Sequence, residues 1–520
     1  MQRPWCCIAI AGFLTTSVMA ADRPAPCGSV GISAAAEAQA PAEVGEYLRS
    51  LSAAELFDLR KACARWAALD PPDSKRRRSA QQATKPPAPR FILYPKQRTT
   101  LAALVARIEH SRRVRMLTQS RAFVAIEFGT VLTTGELLEF LAAPEIGYFE
   151  PDCDGPDFVT TSAAPALTAG ALPAASRCWQ RGARASFPDD PCMDELWGHA
   201  YIGWDAAVAA QSVPRLVAVL DSGIDVGHED LAGSLWLDAD APQTAAMARL
   251  FDQLPCATPA GCYPHGTQMA GTIAGRMNNG VGVAGVAPHS RLMPVVISRV
   301  EHGNLVRLSA IAGAIEAAGA NRANIINISA KWPVDSRAVR EAVSIATGGE
   351  RPERLLVTGY TASFAWDESL HETYPSRYRC LPGVVAAVPG DMRGEDLRAA
   401  GAAHADPTDS RMRAPGVDIV VTTTHNEDGR YALAQAAGAS SASAYLAGAA
   451  ALTWGSKPLD KCGAREIKAI LFCRSKRTES SQYPWVHVEF LRELSRLDSN
   501  ASCNDAMAAL GCGQERRTSP

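Results

Sequence analysis

From residue 215 onward one pattern repeats that narrows the architecture sharply. Short continuous apolar runs alternate with longer stretches of helical periodicity. The runs fall at 215–220, 291–297, 325–328, 354–357, 384–388 and 418–421. A strand exposed on one face alternates apolar and polar residues, so an unbroken apolar run points to a strand buried on both faces. Helical patterns lie between them, for instance at 308–320 and 336–347. Such alternation predicts a parallel sheet covered by helices on both sides. Sheets of this kind place their sites at the carboxyl ends of strands, so residues that end a strand or open a helix become the ones to inspect.

Three such positions carry chemistry. Asp221 follows the run ending at Leu220, His265 opens a segment that turns helical after it, and Ser440 stands near the start of an apolar helix running to Trp454. Taken singly, each has a plainer reading as a turn residue or an N-cap. Together they are what acyl transfer needs. A serine hydroxyl is a poor nucleophile until an imidazole takes its proton. The imidazole needs a carboxylate to fix its tautomer and stabilise its cation. A helix N-terminus adds N–H groups and a dipole that favour a developing oxyanion.

These segments resemble the subtilisin-like serine proteases, or subtilases, over roughly 190–475. The resemblance rests on Val-Leu-Asp221-Ser-Gly-Ile-Asp, His265-Gly-Thr-Gln-Met-Ala-Gly-Thr-Ile-Ala-Gly, Gly282-Val-Ala-Gly-Val-Ala-Pro, Ile326-Asn-Ile-Ser, Ala414-Pro-Gly and Gly438-Ala-Ser-Ser-Ala-Ser. It implies an α/β subtilisin-like fold and a triad of Asp221, His265 and Ser440. Ser441 and Ser443 compete as nucleophile, and Ser440 holds the family's place two after Gly438. The family pairs bound peptide with a Gly-rich strand, here Ser329, Ala330 and Lys331, followed by a bulky Trp332 expected to crowd the channel. It also places an Asn after an Ala-Ala-Gly strand end as the side-chain donor to the oxyanion. The matching stretch, 356–363, has no Asn, which leaves the Ser440 backbone with Tyr360, Thr361 or Ser363 as candidates. Ala439 and Ala444 stand where the family has Thr and Pro. The implied function is a serine endopeptidase acting on peptides or proteins, weakened at its oxyanion site. The alternative is a pseudoenzyme that binds or regulates on the same fold. No cofactor is expected. Calcium is left open, although no EF-hand-like ligand series occurs.

Upstream, the first twenty residues read as an export signal: Arg3, an apolar stretch from Trp5 to Leu14, and small residues before a cut after Ala20. Residues 21–89 hold a capping-box helix at Ser52 and a linker marked by Pro71-Pro72, the basic run 75–78 and Pro86-Pro87. Residues 90–152 read strand, helix, strand, helix, strand, a small α+β unit. It resembles the family's ferredoxin-like inhibitory propeptide, which makes the chain a zymogen whose first partner is its own propeptide. An Ala/Pro-rich linker spans 153–189, the catalytic unit 190–475 and a tail 476–520.

A formal net charge of −2 on 520 residues gives no reason to expect nucleic acid as a partner. No later apolar run reaches the ~18 residues of a membrane helix. The protein is expected to be secreted or periplasmic and to act as a monomer. Of its 14 cysteines, Cys6 and Cys7 leave with the signal. The even number that remains suits an oxidising compartment, with the pairing not readable from sequence. A bridge between Cys256 and Cys262 would stiffen the approach to His265.

Overall fold

The computed structural model describes residues 90–96, 101–111, 113–128, 134–152, 154–155, 178, 183–236, 265–297, 306–332, 336–360, 362–364, 370–393, 410–423, 432–436, 438–477, 483–494, 496–498 and 500–512. The expected signal, the 21–89 segment, most of the 153–189 linker, and Cys256 with Cys262 lie outside them. The chain divides into two compact units. One takes in residues up to 158 with 304–316 and 334–343, the other 159–303, 317–333 and 344–520.

The first unit contains β1 (Arg90–Pro95), α1 (Leu101–Glu109), β2 (Val114–Gln119), β3 (Val124–Phe128), α2 (Thr134–Leu141) and β4 (Ile146–Pro151). The strands form an antiparallel sheet in the order β2-β3-β1-β4. This is the ferredoxin-like βαββαβ arrangement. Strand β2 was not expected. It is an edge strand of half-buried and exposed residues, with Arg115 and Gln119 outward, so no apolar run marks it. Leu93, Leu104, Ile108, Val124, Ile126, Phe128 and Leu141 build the core between sheet and helices.

The same unit holds the beginnings of α4 (Leu308–Ala320) and α5 (Arg337–Thr347). Two buried carboxylates at the end of β4 cap them. Glu150 accepts from Ser336 Oγ at 2.9 Å, Arg337 N at 3.0 Å and Ala338 N at 3.1 Å. Asp152 accepts from Ser309 N at 3.0 Å and Ser309 Oγ at 2.6 Å. First-turn N–H groups have no acceptor within their own helix, so a carboxylate there satisfies donors and complements the dipole, an effect of ~0.5–2 kcal/mol per cap. Burial nevertheless pushes the Asp152 carboxyl up, against the pull of the Ser309 hydrogen bonds. The Arg337 guanidinium lies over the Tyr94 and Tyr148 rings, 4.9 and 5.1 Å from their centroids.

The second unit is built on six parallel strands: β5 (Leu216–Asp221), β6 (Arg291–Val296), β7 (Ile325–Ile328), β8 (Leu355–Gly359), β9 (Val384–Gly390) and β10 (Arg411–Pro415). Their spatial order is β10-β9-β8-β7-β5-β6. Five are the expected apolar runs. The sixth is not 418–421, which instead forms β11 (Ile419–Thr423), antiparallel to β12 (Ala432–Ala436). The true sixth strand reads Arg-Met-Arg-Ala-Pro, and its two arginines hide it from a search for apolar residues. Both are nonetheless buried, because the chain after residue 482 folds over this edge: Arg413 N donates to Pro484 O and Val486 N to Arg413 O, each at 2.8 Å. A covered edge presents no unpaired strand to other molecules.

Helices α3 (His265–Ala274) and α6 (Ala439–Gly455) pack on one face of the sheet, with Val217, Val219, Val357, Ala387, Met412 and Ala414 between them. Then come α7 (Ala464–Cys473) and α8 (Cys503–Ala509). Disulfides join Cys178 to Cys192, Cys462 to Cys503 and Cys473 to Cys512. The last two cross between α7 and α8, although each cysteine has a nearer neighbour in sequence. Among the described residues no helix is long and apolar enough to cross a membrane.

Candidate active site

Asp221 falls at the carboxyl end of a parallel strand, and His265 and Ser440 fall in the first turns of two helices. Asp221 is the last residue of β5 and His265 the first of α3. The His265 ring meets the Asp221 carboxylate through Nδ1, at 2.9 Å from one oxygen and 3.0 Å from the other. Both side chains are buried. The residues around them lock this register. A Cβ on Gly266 would sit 2.0 Å from the Gly223 carbonyl oxygen, so only glycine lets the α3 start approach the β5 turn. Gly266 N donates to Ser222 Oγ at 3.1 Å, and Asp225 N donates to Thr267 Oγ1 at 2.9 Å. The two motifs therefore hold each other as well as the pair they carry.

Helix α6 settles which serine faces outward. It is apolar or small on every side, the signature of a helix enclosed by the core. Sixteen of its 17 residues are buried, and the exception is Ser440, which is half-buried. Ser441 and Ser443 are both inside. Ser443 Oγ donates to Ser440 O at 2.9 Å and lies 2.8 Å from Ser329 Oγ. Gly438 precedes the helix at φ 129°, a conformation that favours glycine, and its N–H donates to Gly416 O. Ser440 sits in the first turn, where backbone N–H groups point out of the helix without intrahelical acceptors. Its hydroxyl donates to Ser329 O at 3.2 Å.

The expected substrate strand is turned further inward than its sequence suggested. Ser329 is buried, and its hydroxyl accepts from Asn327 Nδ2 at 2.9 Å. Ala330 is buried, and Lys331 is half-buried. Trp332 does not stand in an open channel: its side chain is fully enclosed, and its backbone pairs with Tyr374 in both directions at 2.7 and 2.8 Å. Tyr360 directly follows the last residue of β8, the strand end where an Asn was expected. Its ring lies 5.0 Å from the Arg411 guanidinium. Thr361 is outside the described residues, as is the side chain of Ser363. Sequence reasoning missed Arg411 and Tyr483, because neither belongs to a motif and only the folded chain brings them to Tyr360. Among the described residues no group of three or more His, Cys, Asp or Glu is placed to hold a metal ion.

The arrangement has counterparts. Residues 215–483 match the model of the Subtilase family, Peptidase_S8. Fervidolysin of Fervidobacterium pennivorans is 32% identical over 240 residues, covering 44% of this chain and 31% of its own length. A subtilisin of Bacillus pumilus is 31% identical over 248 residues, covering 46% of this chain and 77% of its own. The crystal structure of fervidolysin, described as a keratinolytic enzyme related to subtilisin, superposes with a TM-score of 0.56 at 22% identity. That superposition covers 78% of this chain and 61% of fervidolysin, a likeness of fold. The family match spans both the Asp221–His265 pair and the Ser440 helix, and this chain belongs to the subtilase family.

Proposed function

We propose that this subtilase is an exported serine endopeptidase, made as a zymogen, that cleaves peptide bonds through Asp221, His265 and Ser440. The observation that carries the reading is the buried Asp221 carboxylate on His265 Nδ1, beside a helix whose one residue not buried is Ser440. In the reaction, Ser440 Oγ leaves its hydrogen bond to Ser329 O and attacks the scissile carbonyl carbon. His265 Nε2 takes the hydroxyl proton and later gives it to the leaving amine. Asp221 keeps the proton of His265 on Nδ1 and stabilises the imidazolium. The Ser440 backbone N–H faces the oxyanion, with Tyr360 and Thr361 as the candidate second donors. The peptide lies along the backbone of Ser329, Ala330 and Lys331, and water then hydrolyses the acyl-enzyme.

The zymogen reading is supported by the ferredoxin-like sheet of 90–151 and by Glu150 and Asp152, which tie its last strand to the starts of α4 and α5. A fluorophosphonate probe tests the whole reading. Wild-type protein should be labelled at Ser440 and lose its N-terminal region, and Ser440→Ala should stay unlabelled and full-length. A folded wild type that takes no label would reject the enzyme in favour of a binding protein on the same fold.

A further inference from the structure

A series of buried polar side chains runs from the middle of β7 to the first turn of α6. It starts at Asn327, which stands in register between Val219 of β5 and Val357 of β8. Both valines belong to the core that packs against α6, so an amide between them is out of keeping with that face. The Asn327 Oδ1 is buried and has no hydrogen-bond partner among the described residues. An orphaned buried acceptor destabilises a fold, and a leucine of similar volume would avoid it. What the amide supplies is a donor: Nδ2 reaches Ser329 Oγ at 2.9 Å. Side chains alternate along a strand, so Asn327 and Ser329 point to the same face, toward α6.

The proton count gives the series a direction. Ser443 Oγ donates its one proton to Ser440 O at 2.9 Å. Ser329 Oγ lies 2.8 Å from Ser443 Oγ and 3.5 Å from Ser440 O. With the Ser443 proton committed, the short contact is made by the Ser329 proton. The order is then Asn327 Nδ2, Ser329 Oγ, Ser443 Oγ, Ser440 O, with each hydroxyl accepting once and donating once. Bonds in such a series polarise and strengthen one another. Asn327, Ser329 and Ser443 are all buried, where water does not compete for them. In the opposite sense, Ser440 Oγ donates to Ser329 O at 3.2 Å. Ser440 is thus tied to Ser329 twice, by its hydroxyl and, through Ser443, by its carbonyl. A serine bonded back to its own helix is satisfied without the sheet, so the Ser329 contact is what carries the tie across to β7.

We propose that Asn327, Ser329 and Ser443 are positioning residues: their hydrogen bonds fix the first turn of α6 against the end of β7, and with it the place of the Ser440 hydroxyl. This rests on Ser440 being the nucleophile. The three side chains act through Ser440, and misplacing a reacting group by about 1 Å is enough to cost ~100-fold in rate.

The test has two parts, both on protein expressed from the full-length chain. In peptide hydrolysis, Ser443→Ala and Asn327→Leu should each lower kcat by ~10-fold with KM nearly unchanged. The double variant should be no slower than the slower single variant. Losses that multiply would overturn the proposal, since the two residues would then act by separate routes. A lowered melting temperature with kcat unchanged would also overturn it, leaving the series a role in stability alone. Alanine suits a helix, so Ser443→Ala keeps the test open if Asn327→Leu does not fold. In the second part, crystal structures of the wild type and of these variants are compared at Ser440. Its hydroxyl should leave Ser329 O in the variants, and an unmoved Ser440 side chain overturns positioning whether or not the protein is active. Failure of the wild type to take a fluorophosphonate would reject the protease reading alone.

Discussion

The Ser336 hydroxyl is shared between two partners: it donates to the Glu150 carboxylate at 2.9 Å and accepts from Val339 N at 3.3 Å. Glu150 and Ser336 therefore cap one helix together, from chain segments nearly two hundred residues apart. In the full-length chain carrying Ser440→Ala, Glu150→Ala should lower stability by ~1–2 kcal/mol, the usual size of a lost cap. Thermal unfolding measures it, and an unchanged midpoint would show that the cap contributes nothing.

Asp221→Asn keeps the shape of the buried pair but removes the negative charge that holds the His265 tautomer. The expected loss in kcat is ~10,000-fold at neutral pH, with the protein still folded by circular dichroism. A loss of tenfold or less would remove Asp221 from the mechanism.

Tyr360→Asn places an amide at the strand end where the resemblance to subtilases implies one. Removing such a donor costs ~100- to 1,000-fold, so supplying it should raise kcat by up to that range if the native site lacks an equivalent. No gain, or a loss, would mean that the aromatic ring already serves the site.

Two buried histidines make the fold sensitive to acid. His199, whose Nδ1 is 3.1 Å from Tyr445 Oη, is pushed down to about 4 by burial. His487 is likewise pushed down to about 4, by burial first and by Lys476 next, despite Glu489 at 3.4 Å. Because the folded values lie below the unfolded value near 6.5, the unfolded chain takes up the protons first. Their contribution is fully present above pH 6.5 and is lost as pH falls from there through about 4. Urea midpoints should decline across that window, and more gently in His199→Gln. An equal decline in that variant would place the acid sensitivity elsewhere.

The bridges at the C-terminus close loops with sequence separations of 41 and 39 residues. In the chain-entropy account each is worth ~4 kcal/mol, and their overlap makes the pair worth less than twice that. Replacing both Cys473 and Cys512 by Ser should destabilise the protein in urea by up to that amount. Mass mapping without reductant that found Cys462 joined to Cys473 would contradict the pairing.

Much of the candidate site was legible because it is local. Asp221, His265 and Ser440 each lie in a short motif whose glycines answer a need of the backbone, as at Gly266 and Gly438. The central strands were legible because burial on both faces leaves an unbroken apolar run. What the sequence by itself determined was therefore the parallel sheet, the order of the triad candidates and their places at one strand end and two helix starts. Strand β10 was not legible, since its arginines are buried only after residues 483–488 fold across them. The burial of Ser441 and Ser443 beside a half-buried Ser440, the inward turn of Trp332, the crossing disulfides and the Arg411 contacts with Tyr360 and Tyr483 were decided by tertiary structure alone. Each depends on which surfaces are enclosed by residues far away in the chain, and burial of that kind leaves no periodicity to read.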